Sequence, residues 1–469
     1  MTKPKIFVYS DSPTVKTGFG IVAENLLKEA HKEFDVSILG INEFGRHRYD
    51  ATKYFIYSTD PTDPLGLKRI EQTLEDVNPD IIFLFQDIFH IQQVIPTVKK
   101  ICPNKPIITY FPVDGTPFNP VWNLPFQPGV VSQNITYSQF AVNTIYERFP
   151  ELINKLEIKI LHHGVDVEVF KLLSKQERRE IKQKMGWKDK FVAINVNRFQ
   201  PRKIIPLTLR AFSLVTHGYK KCKCGNYYLL HKKYCDLSGC DMTKVVDTVL
   251  PKNDVALYLH SNTSERTMGP GSANSLQAHA INAGYSDRDF NTKALNLIAN
   301  RNIIGNPFTE KELCEFYNAA DINVTTAIGE GWGLSLSEAA ACGTSSIAPN
   351  NSAIPEVLEG TNSILVKNIG HFNMGLDSGH LRPLVSVPRF VDAIETKYKE
   401  WVDNGRKKVI DYDAIAKVNK DLLWSDKREF LMNEFKRFLP QFFKVDEDAI
   451  SKMPVSSNLF DFNISDNSE

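Results

Sequence analysis

Hydrophobic runs and helical stretches alternate along the first 160 or so residues. The run "KIFVYS" precedes the loop "DSPTVKTGFG" and the helical "IVAENLLKEAHKEF", and "VSILGI" follows as a second strand. "DIIFLFQD" and "PIITYFPVD" are continuous β-rich runs, the kind that both faces of a parallel sheet bury. "NITYS" then leads into the helical "QFAVNTIYERF", and "EIKILHHGVD" closes this half. Repeated β–α alternation with short loops predicts a doubly wound parallel sheet.

A second alternation begins after residue 190. "FVAINVNRF", "DVALYLHS", "NIIG", "DINVTTA" and "NSILVK" read as strands; "IIPLTLRAFSLVT", "FNTKALNLIAN" and "TEKELCEFYNAA" read as helices between them. The predicted organisation is an N-terminal Rossmann-like unit over residues 1–170 and a second over 171–425, interrupted by an insert at 217–245. A helix at 426–445 is expected to return to the N-terminal unit. Residues 446–469 are acidic and polar and are expected to form a flexible tail.

Composition narrows the picture little. The formal net charge is +1, so overall basicity does not argue for nucleic acid or an anionic membrane. No apolar run approaches the roughly 20 residues that span a bilayer. The start, "MTKPKIFVYSDS", carries no signal-peptide apolar region, and the expected location is cytoplasmic. Cysteine usage is more informative. Cys102, Cys314 and Cys342 stand singly in apolar patterns and are expected as buried thiols. Cys222, Cys224, Cys235 and Cys240 crowd into the insert, where four thiolates suit a structural zinc site. The insert also carries an excess of lysine, either a solvated face or a surface for a phosphate-bearing partner.

The stretch "GEGWGLSLSEAAACG", residues 329–343, concentrates the chemistry. Its glycines fall where a strand turns into a helix. The first N–H groups of a helix lack intrahelical partners and, with the macrodipole, favour an anion such as phosphate. Glycine lets the backbone approach that anion without a Cβ in the way. A carboxylate would repel phosphate, so Glu330 needs another target, and hydroxyl groups suit an acceptor-only side chain. Glu338, further along the helix, is expected at the same mouth. Two hydroxyl-binding carboxylates beside a phosphate-binding turn describe a sugar-nucleotide site. The alternative is that both only complement the helix terminus.

Four motifs together resemble the retaining glycosyltransferases of family four, which have the GT-B fold. "GEGWGLSLSE" is similar to that family's Glu-x7-Glu signature, "NRFQPRK" to its strand-end cationic motif, "HHGVDVEVF" to its "NGVD" segment and "KTGFG" to its N-terminal glycine loop. The resemblance implies two Rossmann-like domains facing across a cleft. It implies that Glu330 contacts the donor sugar and Glu338 the ribose, and that Arg198 and Lys203 hold the donor diphosphate. Gly18, Phe19 and Gly20 would approach sugar and acceptor. Gly331, Trp332, Gly333 and Leu334 would line the donor, with the base against backbone near Ile304.

Paired cations at the diphosphate would replace a divalent metal, so no catalytic cofactor is expected beyond the nucleotide-diphosphate sugar itself. One departure stands out. Family members often carry a His before an acidic residue after the fourth N-terminal strand, and here the pair is Val113–Asp114. Asp114 either accepts the acceptor hydroxyl's proton, binds a sugar hydroxyl, or caps the turn before Gly115. His162 and His163 take no role from spacing. The leading expectation is retaining transfer of a sugar to an acceptor hydroxyl. The alternatives are a sugar-nucleotide epimerase on the same fold, or a transferase that reaches modified nucleic acid through the basic insert.

Overall fold

The computed structural model describes residues 2–443 apart from 46, 51–52, 234, 236–239, 241–243, 262–274, 286–294, 297–308 and 376. The expected tail at 446–469 and Ile304 lie outside the described residues.

The first alternation builds an eight-stranded sheet from β1 (Lys5–Asp11), β2 (Asp35–Phe44), β3 (Arg48–Asp50), β4 (Tyr54–Thr59), β5 (Ile81–Phe85), β6 (Ile107–Phe111), β7 (Gln133–Thr136) and β8 (Ile158–Ile160). Its order is β3-β4-β2-β1-β5-β6-β7-β8, and only β3 pairs antiparallel. The continuous apolar runs are explained by burial on both faces. Ile6 and Val8 of β1 enter one hydrophobic cluster, while Phe7 and Tyr9 enter another. Along β5, Ile81, Phe83 and Phe85 likewise separate from Ile82 and Leu84. Successive strand side chains point to opposite faces, so each strand supplies two cores.

The second alternation starts with β9 (Phe191–Val196) and then departs into the insert, β10 (Tyr219–Cys222), β11 (Tyr227–Leu229) and β12 (Val245–Val249). It resumes with β13 (Val255–His260), β14 (Leu295–Asn296), β15 (Ile322–Val324), β16 (Ser346–Pro349) and β17 (Ile364–Val366). The six strands outside the insert form a parallel sheet in the order β14-β13-β9-β15-β16-β17. The helix expected across residues 290–300 is corrected where the structure describes it: Leu295–Asn296 pair with β13 as a strand. A short apolar run does not distinguish strand from helix by periodicity. The insert is a separate three-stranded antiparallel sheet, tied down where Tyr227 Oη donates to Asp392 at 2.9 Å on the helix Val387–Asp403.

One hydrophobic cluster runs between the two sheets. It takes Ile6, Val8, Phe83 and Phe85 from the first and Val192, Ile194, Ala256 and Tyr258 from the second. The helix Trp424–Arg437 joins it, setting the Phe435 ring 5.4 Å from Phe83 and 5.8 Å from Phe34. Burying such a side chain contributes about 1.5–3 kcal/mol, so this layer is a large apolar tie.

Polar ties add direction. Glu356, on the short helix Ile354–Leu358, accepts from the backbone N–H of Gln139 and of Phe140, each at 2.8 Å. These two N–H groups begin the helix Gln139–Arg148, so a carboxylate from the second sheet's layer caps a helix of the first. A hairpin absent from the sequence expectations, β18 (His371–Asn373) and β19 (Leu381–Pro383), makes another crossing. Leu381 N donates to Thr116 O at 2.6 Å, and Asn119 Nδ2 to Ser378 O at 3.2 Å. Its strands are three residues each, too short for an alternation signal. Glu356→Ala is expected to destabilise the protein by about 1–2 kcal/mol, the usual worth of a helix cap. Exposed Glu359→Ala should cost much less. Urea unfolding of both variants checks this, and equal midpoints would remove the cap.

Candidate functional site

The carboxyl ends of strands from both sheets meet, the usual place for ligands in open α/β sheets. β1 ends in Asp11, Gln86 and Asp87 follow β5, and Asp114 follows β6. From the second sheet come the turn Pro201–Lys203 after β9 and the loop after β15 that carries Glu330.

Local structure turns Lys203 inward. Ile204, a β-branched residue, takes the left-handed φ of 40°. That conformation is an outlier needing outside support. Thr326 supplies it, donating to the Lys203 and Ile204 carbonyls at 3.0 and 2.8 Å. Lys203 is buried and its Nζ pairs with Glu330 Oε1. Glu330 is held from behind, its N–H donating to Ser352 Oγ at 3.0 Å. Arg202 joins the pair: Nη1 lies 3.5 Å from Glu330 Oε2 and donates to Gly329 O at 2.7 Å. Arg202 Nε stands 3.7 Å from Asp114 Oδ2. Arg382 grips Asp114 from the other side, donating to its carbonyl at 2.5 Å and to Oδ1 at 3.1 Å.

The glycines fill a second role beyond the one the sequence suggested. A Cβ on Gly329 would stand 2.1 Å from Arg382 Nη1 and 2.5 Å from Asp114 O. One on Gly331 would stand 2.6 Å from Pro112 Cβ. Both therefore permit close approach of the protein's own chain. Gly333 has a left-handed φ of 103° and starts the helix Leu334–Ala341. No described group accepts from the N–H of Gly331, Trp332, Gly333 or Leu334, so these donors stand at the mouth of that helix.

Electrostatics follow from burial. Desolvation pulls Lys203 down to about 8, helped by Arg202 and opposed by Glu330. Burial also lifts the Asp114 carboxyl, but Arg202 and Arg382 outweigh it and hold it below the usual carboxylate range. Asp87 has no such cation pair. Burial, with Asp114 beside it, pushes it up to about 7. Asp11 is raised by burial, against hydrogen bonds from Thr17 and Gln86. Thr17 Oγ1 donates to Asp11 and accepts from Gly20 N at 3.0 Å, which fixes the glycine loop to the end of β1. Gly20 fits because a Cβ would meet Val15 O at 2.2 Å. Gly18 is exposed, and Phe19 sets its ring edge-on to Phe85.

Of the expected residues, Lys203, Glu330 and Asp114 come together. Arg198 does not join them. It is exposed on the same loop and acts electrostatically on Asp11, while Arg202 takes the place beside Glu330. Trp332 is buried and stacks on His162 at 4.6 Å, so its ring faces the protein. Leu334 is half-buried against the core cluster. Glu338 accepts from Tyr317 Oη at 3.1 Å. His163 is buried among Tyr110, Tyr137 and Trp332. Val113, at the family's His place, is buried in the core with Phe111 and Phe118.

Sequence reasoning missed Arg202, Arg382, Asp87 and Asp11. Asp11 and Asp87 close buried strand runs, which is a readable signal. Arg382 has none, because its strand has no pattern. In the insert, the four cysteine Sγ atoms all lie within 4.8 Å of one another, and none is in a disulfide.

Comparison with known proteins supports the family likeness. Residues 270–373 match the family model described as Glycosyl transferases group 1. The alpha-1,3/1,6-mannosyltransferase alg-2 of Neurospora crassa is 24% identical over 163 residues, covering 32% of this chain. The match spans 34% of that relative's length. HepE from Anabaena, solved in complex with UDP and glucose, aligns at a TM-score of 0.61 and 14% identity, over 92% of this chain and 100% of that one. Sucrose-phosphate synthase from Thermosynechococcus elongatus aligns at 0.64 and 12%, over 94% and 100%. These comparisons bear out the recognition of group 1 glycosyl transferases, and the structural neighbours give the α/β fold as GT-B-like.

Burial pushes the Glu338 carboxyl up to about 8. A pKa raised above its unfolded value of 4.5 means the unfolded chain ionises first as pH rises. Stability from this group is therefore full below about 4.5 and falls until about 8. Glu338→Gln should be more stable than the parent at pH 8, with the difference vanishing near pH 4. Melting temperatures across that window check this, and a constant difference would remove the buried neutral carboxyl.

Proposed function

We propose that the chain is a retaining glycosyltransferase that moves a sugar from a nucleotide-diphosphate sugar to an acceptor hydroxyl. The observation that carries this is the meeting of Arg202 and Lys203 with Glu330 and Asp114, beside the open N–H groups of Gly331 to Leu334. The two Rossmann-like units would be residues 1–170 and 171–425, with the donor on the second.

A leaving nucleoside diphosphate gains negative charge as the glycosidic C–O bond breaks. Lys203 and Arg202, with Arg198 on the same loop, would meet that charge together with the helix N–H groups. Preorganised positive groups of this kind replace a divalent cation at the diphosphate. Glu330 occupies both Lys203 and Arg202, so an incoming diphosphate would compete for them. That exchange would release Glu330 toward the sugar hydroxyls. Trp332 and Leu334 would contribute backbone rather than side chain, and Glu338 would hold the ribose.

On the acceptor side, Asp114 would stay ionised between its arginines and hold a hydroxyl. Asp87, pushed up to about 7 by burial and the neighbouring Asp114, would exchange a proton there. The departing phosphate oxygen can also take the acceptor proton on the same face. The epimerase reading would need no acceptor site, and the carboxylates at the ends of β1, β5 and β6 favour transfer over it. The expected location is the cytoplasm.

Lys203→Ala and Glu330→Gln separate the roles. Loss of Lys203 should reduce kcat/KM by about 2–4 kcal/mol of transition-state stabilisation. Glu330→Gln should lower kcat more than it raises the donor KM. Transfer from a panel of UDP-, GDP- and ADP-sugars, with chelator present, checks both. Parental kcat/KM in Lys203→Ala would remove it from the site, and an absolute need for Mg²⁺ would overturn the metal-free mechanism.

The insert fits a structural zinc. Zn–S bonds of about 2.3 Å in a tetrahedron put sulfurs about 3.8 Å apart. Here the Cys222–Cys240 and Cys224–Cys235 Sγ pairs are 3.1 and 3.7 Å apart. The ion would close the loops of the three-stranded sheet. Elemental analysis is expected to find about one zinc per chain, lost in a Cys222→Ser/Cys235→Ser variant. A folded, metal-free parent would sink the site.

A further inference from the structure

The β18–β19 hairpin carries a residue that commits four of its five N–H donors to two carboxylates and a carbonyl. Arg382 is buried, at 2% exposure. Its Nε and Nη2 fork onto the Asp377 carboxylate at 2.6 and 2.9 Å. Its remaining bonds reach the Asp114 carbonyl at 2.5 Å and the Asp114 carboxylate at 3.1 Å. Planar guanidinium geometry fixes direction as well as charge, which an ammonium would not do.

The rest of the hairpin holds this fork in place. Leu381 N donates to Thr116 O at 2.6 Å, and His380 Nδ1 lies 3.0 Å from Pro117 O. Gly115 leaves room for both side chains, since a Cβ there would stand 2.7 Å from the His380 ring. On the far side the guanidinium touches Gly329, the residue before Glu330. Arg382 thus lies between the two loops that carry Asp114 and Glu330.

We propose that Arg382 is a positioning residue, which pins the Asp114–Thr116 turn against the Gly329–Glu330 loop and so aims the Asp114 carboxylate at Arg202. The catalytic consequence rests on the sugar-transfer reading of this site. The pin itself does not, because it is a contact within the chain.

Two measurements test it. Hydrogen exchange at the Leu381 amide, in the full chain without ligand, should be about tenfold faster or more in Arg382→Gln and in Asp114→Asn, with amides of β1 and β9 unchanged. Unchanged exchange at Leu381 overturns the pin. With UDP-glucose, GDP-mannose and ADP-glucose as donor probes, Arg382→Gln should lower kcat about tenfold or more with little change in donor KM. The Arg382→Gln/Asp114→Asn double variant should be no worse than the worse single one. Losses that multiply, or a lowered melting temperature with parental kcat, overturn the positioning role. Should Arg382→Gln not fold, Asp377→Asn, which unclamps the other side of the guanidinium, replaces it in the same cycle. A parent that transfers no sugar from any probe refutes the transferase reading, and the exchange measurement then decides the pin.

Discussion

The structure turns on placing opposite charges where two parallel sheets end. Lys203, Arg202 and Arg382 meet Glu330, Asp114 and Asp377 in a chain of contacts running from one sheet's loops to the other's. Taking charges out of water is costly, and only good geometry with further hydrogen bonds offsets it. Here the arginines are satisfied by carbonyls as well as carboxylates, at Gly329 and Asp114. Removing one partner would leave a buried charge unmatched. The loops at the strand ends therefore constrain one another strongly, though none is part of a sheet.

That constraint explains the small residues and the strained one. Gly329 and Gly331 are needed because Arg382, Asp114 and Pro112 come within 3 Å of where a side chain would begin. Ile204 adopts a left-handed conformation because that delivers Lys203 into the cluster, and Thr326 holds it there. The surrounding apolar layer, continuous from β1 and β5 to β9 and β13, gives the rigidity such positioning requires.

The carboxylates of the site are then divided by their surroundings. Asp114, between two arginines, stays charged. Asp87, where Arg202 offsets only part of the effect of burial and Asp114, and Glu338, beside a tyrosine hydroxyl, are pushed toward neutrality and above. One kind of side chain is thereby given different proton affinities by its surroundings.

The sequence by itself determined the two parallel sheets, since continuous apolar runs such as "DIIFLFQD" are stable only when both faces are covered. It also marked Glu330, because a strand-to-helix turn is a local feature, while Lys203 and Asp114 were legible only through the family resemblance of their motifs. The insert's cysteines were likewise legible as a local feature. That Arg202 joins Lys203 beside Glu330 was not: Arg198 and Arg202 lie in one short motif, and only the folded loop brings Arg202 to Glu330 and Asp114. The burial of Trp332 against His162 depends on a residue 170 positions away in the chain. Arg382 on its patternless hairpin was invisible altogether. Local periodicity records which face a residue shows to its own neighbours, whereas only the folded chain decides which distant charges come within hydrogen-bonding distance.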